Sequence, residues 1–330
     1  MSVLHFIGID VAKKKFDVAY LKDKERQMVK TKVLDNKPAG FNQLLDWIKK
    51  NVSNDFSTIH ITLEPTGVYH EALAYFLHDN GFVVNLINPA RLPKFAEYKG
   101  FVHKNDRGDC KLLALLGAEN PHEYWQPEPL SIRQLKAKLS RLEALKSDLL
   151  RENNRLEQAE SGNLPDEVLQ SIHHIRKALQ DSIKALSQDI DDHINGNPEL
   201  KKDKALLKSI PGVGDVITKQ MLVVYHSKHF QKAADMAAFL GLIPKERTSG
   251  TMKGKIMLSK RGSPQIRALL FLPAVAAKSY NPDIKAHYER LLAKGKTKMQ
   301  AIGAAMRRLV HICFGVLKNK SVYQPQTILA

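Results

Sequence analysis

Four acidic residues carry the chemistry this chain can do: Asp10, Glu64, Asp106 and Asp109. Asp10 ends the apolar run Ile7-Gly8-Ile9, and Glu64 follows Leu63 and precedes Pro65-Thr66-Gly67, so each reads as the last residue of a strand. Asp106 and Asp109 are three residues apart, which on a helix places them on one face. Carboxylates brought together repel and raise one another's pKa, a costly arrangement unless divalent cations neutralise it. All-oxygen ligands suit Mg²⁺ or Mn²⁺, and two such ions about 4 Å apart can activate an attacking oxygen and stabilise the leaving one at a phosphodiester. Taken singly, each acid has a plainer reading. An Asp after Ile-Gly-Ile also occurs in actin-like sugar kinases, and an Asp-x-x-Asp pair is often a solvated helix face or an amino-terminal cap. No glycine-rich Gly-x-Gly-x-x-Gly phosphate loop is present, which argues against a kinase.

A second constellation lies in the polar loop from Lys245 to Lys255, followed by Ser259-Lys260-Arg261-Gly262 and Arg267. Its hydroxyls, glycines and cations could hold a phosphate while Ser249 attacks it, because Lys253, Lys255, Lys260, Arg261 and Arg267 would offset the developing charge. The plainer reading is a turn beside phosphate-binding cations. Upstream, Leu206 to Gly214 has the pattern of a helix-hairpin-helix turn. There Pro211, Gly212 and Gly214 would let backbone amides approach phosphates irrespective of base sequence; an ordinary helix-to-helix turn is the alternative.

The elements that must position these residues follow from the periodicities. Segments 5–12, 16–22 and 28–35 read as a three-stranded meander. Next come a helix at 39–50, a strand at 58–63, a helix at 69–80, a strand at 82–88 and a helix at 106–118. The order β-β-β-α-β-α-β followed by a helix is that of a ribonuclease H-like (RuvC-like) mixed sheet covered by helices, in which the first and fourth strands lie side by side. From 132 to 194 the pattern is all helical. Leu135, Leu142, Leu149 and Leu156 recur every seven residues, with Leu139 on the same stripe and Lys146 and Asn153 at companion positions. After a break at 161–167, a second stripe runs from Ile172 to Ile194. A dimerising coiled coil and a helical hairpin within one chain both fit. The expected fold class is thus α/β plus all-α, divided as 1–124, 125–200 and 201–330.

Charge supports this division. The 330 residues carry a formal +17, but residues 201–330 hold 24 Lys and Arg against 6 Asp and Glu, while residues 1–200 are nearly balanced. Concentrated basic charge suits a polyanion, because each neutralised phosphate releases counterions. Cys110 and Cys313 form no Cys-x-x-Cys or Cys/His ligand spacing, which excludes zinc fingers and a disulfide scaffold. The longest apolar stretch, 268–277, contains Pro273 and is well short of the roughly 20 residues of a membrane span. The amino terminus has no secretion-signal pattern, so a cytoplasmic, nucleoid-associated protein without a membrane partner is expected.

Together, Gly8-Ile9-Asp10, Leu63-Glu64-Pro65-Thr66-Gly67, Asn88-Pro89-Ala90, Lys104-Asn105-Asp106-Arg107-Gly108-Asp109, Ile210-Pro211-Gly212-Val213-Gly214 and Ser249-Gly250 ahead of Ser259-Lys260-Arg261-Gly262 resemble, in order and spacing, the insertion-sequence "one-ten" transposases. These are also called DEDD transposases and bridge-RNA-guided recombinases, and the resemblance spans nearly the whole chain. It implies that Asp10, Glu64, Asp106 and Asp109 are the catalytic, metal-binding acids and Ser249 the nucleophile. It also implies a RuvC-like domain joined through a coiled coil to a C-terminal transposase domain. Homodimers would assemble to tetramers, one subunit's serine completing another's acidic site. A structured bridge RNA would pair with donor and target DNA, leaving the protein to read shape and backbone. Cys110, where alanine is frequent in that family, is a departure. Two other readings of the residues stand beside this one: a water-using nuclease of the Holliday-junction-resolvase type, and a noncatalytic DNA-bridging protein.

Overall fold

A computed structural model describes residues 4–65, 67–101, 106–119, 124–162, 164–245, 248–249, 252–253 and 257–326. The chain divides into two compact units, residues 1–127 and 128–330.

The first unit is built on five strands, β1 (His5–Val11), β2 (Lys15–Asp23), β3 (Met28–Asp35), β4 (Ile59–Leu63) and β5 (Val83–Leu86), in the order β3-β2-β1-β4-β5. The first three pair antiparallel and β4 runs parallel to both β1 and β5. Helices α1 (Pro38–Asn51) and α2 (Glu71–Asp79) cover one face, where Phe41, Leu44, Leu73 and Leu77 meet Ile7, Ile9, Ile61 and Leu63. Helices α3 (Leu92–Tyr98) and α4 (Asp106–Glu119) belong to the other face's core, with Leu21 and Ile87. Every residue of β4 is buried, as expected of a strand with parallel neighbours and helices on both sides. The edge strand β3 is largely exposed and carries Lys30 and Lys32, charges that discourage edge-to-edge pairing.

Two features depart from the sequence expectation. Thr58 ends a 3₁₀ turn (Phe56–Thr58) instead of opening β4, because Asp55 accepts from the Ser57 backbone N–H at 3.1 Å and caps that turn. Helix α3, unforeseen, starts three residues after Pro89. The side chain of Asn88 accepts from the Ala90 N–H at 2.9 Å to make the turn, and Pro93 sits in the first helical turn, where a missing N–H costs nothing.

The second unit is helical: α5 (Leu130–Ser161), α6 (Asp166–Gly196), α7 (Pro198–Lys208), α8 (Asp215–Ser227), α9 (Ala233–Phe239), α10 (Pro264–Tyr280), α11 (Pro282–Ala293) and α12 (Lys298–Asn319). Between α9 and α10 lie two short antiparallel ribbons, β6 (Pro244–Lys245) with β9 (Met257–Leu258), and β7 (Thr248–Ser249) with β8 (Met252–Lys253). Helices α5 and α6 form an antiparallel hairpin within the chain. Its base, including Leu135, Leu139, Leu142, Ile190 and Ile194, joins one core with α7 to α12. Lys138 pairs with Asp189 across it at 2.9 Å, and Asn153 accepts from Arg176 Nε at 2.8 Å. Lys146 and Asn153, expected in the seam, are exposed, while Leu145 is buried instead. Towards the hairpin's tip Leu164, Val168 and Ile175 are exposed. Among the described residues no helix is long and apolar enough to cross a membrane.

Candidate active site

The register of the sheet brings two of the four acids to one rim. Ile9 is the parallel partner of Leu63, so Asp10 and Glu64 are the next residues along adjacent chains. Asp10 is not the last residue of its strand as expected; β1 continues to Val11, with Asp10 opposite Asp17 of β2. Directly opposed residues share a sheet face. Asp17 is buried, at 6% exposure, and its carboxylate meets Lys15 at 3.3 Å.

Helix α4 lies on that face because two glycines leave room for it. A Cβ on Gly8 would stand 2.0 Å from the Cys110 carbonyl oxygen and 2.4 Å from the Ala114 nitrogen, and one on Gly117 would stand 2.2 Å from the Thr62 hydroxyl. Positions 110, 113 and 117 thus form the stripe laid on β1 and β4, and position 106 is on the same stripe one turn earlier. Cys110, in the first turns of α4, is within reach of the charges of Asp17 and Asp10, which sets the start of the helix beside the end of β1 that carries Asp10. Asp109 is half-buried. For Asp106 the backbone alone is described, as the first residue of α4. The Cys110 thiol is pushed up to about 12, first by burial and then by the charges of Asp17 and Asp10. It stays a neutral thiol. The donors at this rim are therefore carboxylate oxygens with no thiolate among them, a set that fits Mg²⁺ or Mn²⁺ better than a thiophilic metal.

Asn36 fixes the rim from outside. Its amide donates to the carbonyls of Ala12 and Tyr69, both at 3.0 Å, joining the β1–β2 turn to the loop that follows Glu64.

In the second unit the turn between α7 and α8 presents its three expected contact residues unequally. Gly212, at φ +93°, faces α10, where an added Cβ would come within 2.7 Å of Ala277, and the Pro211 carbonyl accepts from Asn281 at 3.4 Å. Gly214 opens α8 with free space around it. Asp215, the first residue of α8, is paired with Lys219 at 2.8 Å and Lys208 at 3.0 Å. Lys260 and Arg261 are exposed, whereas Arg267 is half-buried and donates to the carbonyls of Leu240 at 3.2 Å and Gly262 at 2.9 Å. Ser249 and Lys253 are placed by backbone alone, Ser249 opposite Met252. Lys255 lies outside the described residues.

Sequence reasoning missed Asp17, which sits inside an alternating strand and gains meaning only through its register with Asp10. It also missed Glu199, Asp203 and His226, whose ligand atoms lie within 4.8 Å of one another. Lys320 Nζ already stands 2.8 and 2.9 Å from the two Asp203 oxygens and 3.9 Å from Glu199, so an ammonium supplies the positive charge there.

A family profile of IS110 DEDD transposases, described as "Transposase", matches residues 7–160, and a second, "Transposase IS116/IS110/IS902 family", matches residues 204–289. Pilin gene-inverting proteins of Moraxella lacunata and Moraxella bovis are each 33% identical over 317 residues, covering 95% of this chain and 96% of theirs. The chain belongs to the IS116/IS110/IS902 transposase family. An insertion element IS110 protein of Streptomyces coelicolor is 30% identical over 157 residues, 47% of this chain and 36% of its own. This transposase is accordingly a DNA recombination enzyme of a mobile-element family, and DNA is its substrate. The first profile covers Asp10, Glu64, Asp106 and Asp109, and the second the turn at 209–214 and the ribbons around Ser249.

Proposed function

We propose that this transposase cuts and rejoins DNA at the carboxylate rim, with Asp10, Glu64, Asp106 and Asp109 as the catalytic, metal-binding group and Ser249 as the nucleophile. The observation that carries the reading is the parallel pairing of Ile9 with Leu63 beneath a helix seated on Gly8. The order β3-β2-β1-β4-β5 supports a ribonuclease H-like, RuvC-like assignment for residues 1–124. Residues 125–200, nearly all within the unit 128–330, would act as the dimerisation segment through the outer part of the hairpin, and the turn with Gly214 supports a helix-hairpin-helix in the basic region 201–330.

Mg²⁺ or Mn²⁺ bound by the four acids would neutralise phosphoryl charge and lower the pKa of a coordinated oxygen. The protein's own part is otherwise complete in outline. The Ser249 oxygen attacks the scissile phosphorus and gives up its proton. A phosphoserine ester forms, the bond to the 3′ oxygen breaks, and that oxygen leaves as a hydroxyl after taking a proton. A 3′ hydroxyl of the exchanged strand then attacks the ester and releases the serine, so no phosphodiester is lost. Exposed Lys260 and Arg261 near the ribbons would bind the flanking phosphates.

Donor and target would be selected by a structured bridge RNA, and one subunit's serine would reach another's acids in a tetramer formed by two dimers; the uncovered apolar residues at the hairpin tip suit subunit association. The two Moraxella relatives are named for inverting a pilin gene. Inversion needs the same cutting and rejoining, so both outcomes fit one active site.

The test is trapping. Ser249→Ala should abolish a denaturation-resistant protein–DNA adduct formed with Mg²⁺ and the element's flanking RNA. Strand cleavage persisting in Ser249→Ala would instead assign attack to water, as in a junction resolvase. Binding without any Mg²⁺-dependent strand change would leave a DNA-bridging protein.

A further inference from the structure

We propose that the cleft between α11 and α12 is a phosphodiester-binding site, built from residues that none of the motifs above includes. It is a cavity of about 620 Å³, within the size range of sites that enclose small ligands. Arg290 and His287 of α11 line it with Arg307, Arg308 and His311 of α12.

The cations there are short of acceptors. Among the described residues none of the three guanidiniums forms an ion pair. The one carboxylate in the lining, Asp283, accepts from Tyr323 Oη at 2.7 Å and from the Gln326 backbone N–H at 3.1 and 3.3 Å, so it is engaged by the segment after α12. Arg308 donates to the neutral Gln326 side-chain amide at 2.6 Å, and Arg290 Nη2 meets His287 Nδ1 at 2.9 Å. Arg307 Nε and His311 Nε2 are buried without any hydrogen-bond partner. Buried polar atoms are nearly always satisfied, so these two mark a polar wall short of partners, and the guanidinium groups that line the cleft carry the donors that a bound acceptor would meet.

A phosphate supplies what is missing. Its oxygens accept bidentate guanidinium pairs, and its charge balances two or more arginines at once. The imidazoles are suited to share the contact. Burial first, and then Arg290 and Arg308, hold His287 below its ordinary value, while burial, Arg307 and Arg308 do the same for His311. Both are therefore neutral near pH 7, each with one nitrogen able to donate. A carboxylate ligand would satisfy fewer donors. Ala286, Leu291 and Ala304 add an apolar wall that suits a sugar beside the phosphate. Because the enzyme acts on DNA, the ligand is a phosphate of a nucleic-acid backbone. The site requires neither the carboxylate rim nor Ser249, so it stands or falls apart from the mechanism proposed above.

The experiment uses the full chain in EDTA, with fluorescence anisotropy of a mixed-sequence duplex DNA and, separately, a mixed-sequence single-stranded RNA across a salt series. The Arg307→Gln/Arg308→Gln variant should bind about tenfold more weakly at low salt, with the slope of log K against log salt smaller by about one to two. The exposed Arg290→Gln, which leaves the packing of α12 untouched, should lose about one in slope and decides the matter if the double variant does not fold. Loss in the RNA arm alone assigns the cleft to RNA, loss in the DNA arm alone to DNA, and loss in both to either backbone. Histidine NMR gives the local readout: inorganic phosphate should raise the titration midpoints of His287 and His311. Unchanged affinity and slope for the folded variants in both arms, with histidine midpoints indifferent to phosphate, would overturn the assignment.

Discussion

In the helical unit Asp191, Asp203 and Asp215 each stand against lysines, whereas in the sheet unit Asp10 faces Asp17 across a strand pair. The helical set consists of finished ion pairs. Burial alone would raise the three carboxyls, but hydrogen bonds and charge from Lys204 and Lys219, from His226 and Lys320, and from Lys219 and Lys208 outweigh it and bring each below the ordinary 3.8. The other group places like charges on one sheet face, near enough that both raise the Cys110 thiol. Carboxyls held by lysines fasten the helical unit, whereas Asp10 and Asp17 crowd like charge onto one sheet face even with Lys15 beside Asp17, an arrangement that costs free energy. The distinction can be broken by experiment.

Asp10→Asn should give the largest effect, lowering recombination between two plasmids by about a thousandfold. Its melting temperature should change little, because the amide keeps the shape of the carboxylate; a large loss of stability would place Asp10 with the structural acids. Gly8→Ala should destabilise the protein by about 3 kcal/mol in denaturant titrations, since the new methyl meets backbone atoms of α4 that cannot turn aside. Asp203→Ala should cost about 3 kcal/mol, near the low end for breaking a buried pair because Lys320 is partly exposed. The purified variant should still form adduct at low temperature. Asp17→Asn should weaken Mg²⁺ binding, followed by calorimetry, by about 10- to 100-fold, the range for a group that orients a ligand. The smallest effect is acid sensitivity. The stability supplied by the three depressed carboxyls of the helical unit is complete above their unfolded value of 3.8 and disappears as pH falls through the folded values. Melting temperatures should therefore hold down to about pH 4 and drop below it.

How much of this was legible depended on whether a residue's meaning is local. Asp10 and Glu64 each follow an apolar run, and strand order alone makes those runs neighbours, so the rim was readable before any coordinates. The heptad leucines and the stripe from Ile172 to Ile194 likewise announced two long helices. Asp17 was not readable, because an acid between Phe16 and Val18 looks like the solvent side of an alternating strand until the register sets it against Asp10. The roles of Gly8 and Gly117 appear only once α4 is laid across β1 and β4. Gly212 read as a phosphate contact, yet its freedom is used to bring the turn against Ala277. Arg290, Arg307 and Arg308 fit the general basic charge of the region, and only the adjacency of α11 and α12 gathers them into one cleft.

The missing side chains of Gly8 and Gly117 have a mechanical consequence. A helix seated on strand backbone at Gly8, and against the Thr62 hydroxyl at Gly117, has no soft layer there in which to slide. Whatever binds beside Asp10 would then meet a helix whose distance from β1 is already set by the absence of those two side chains.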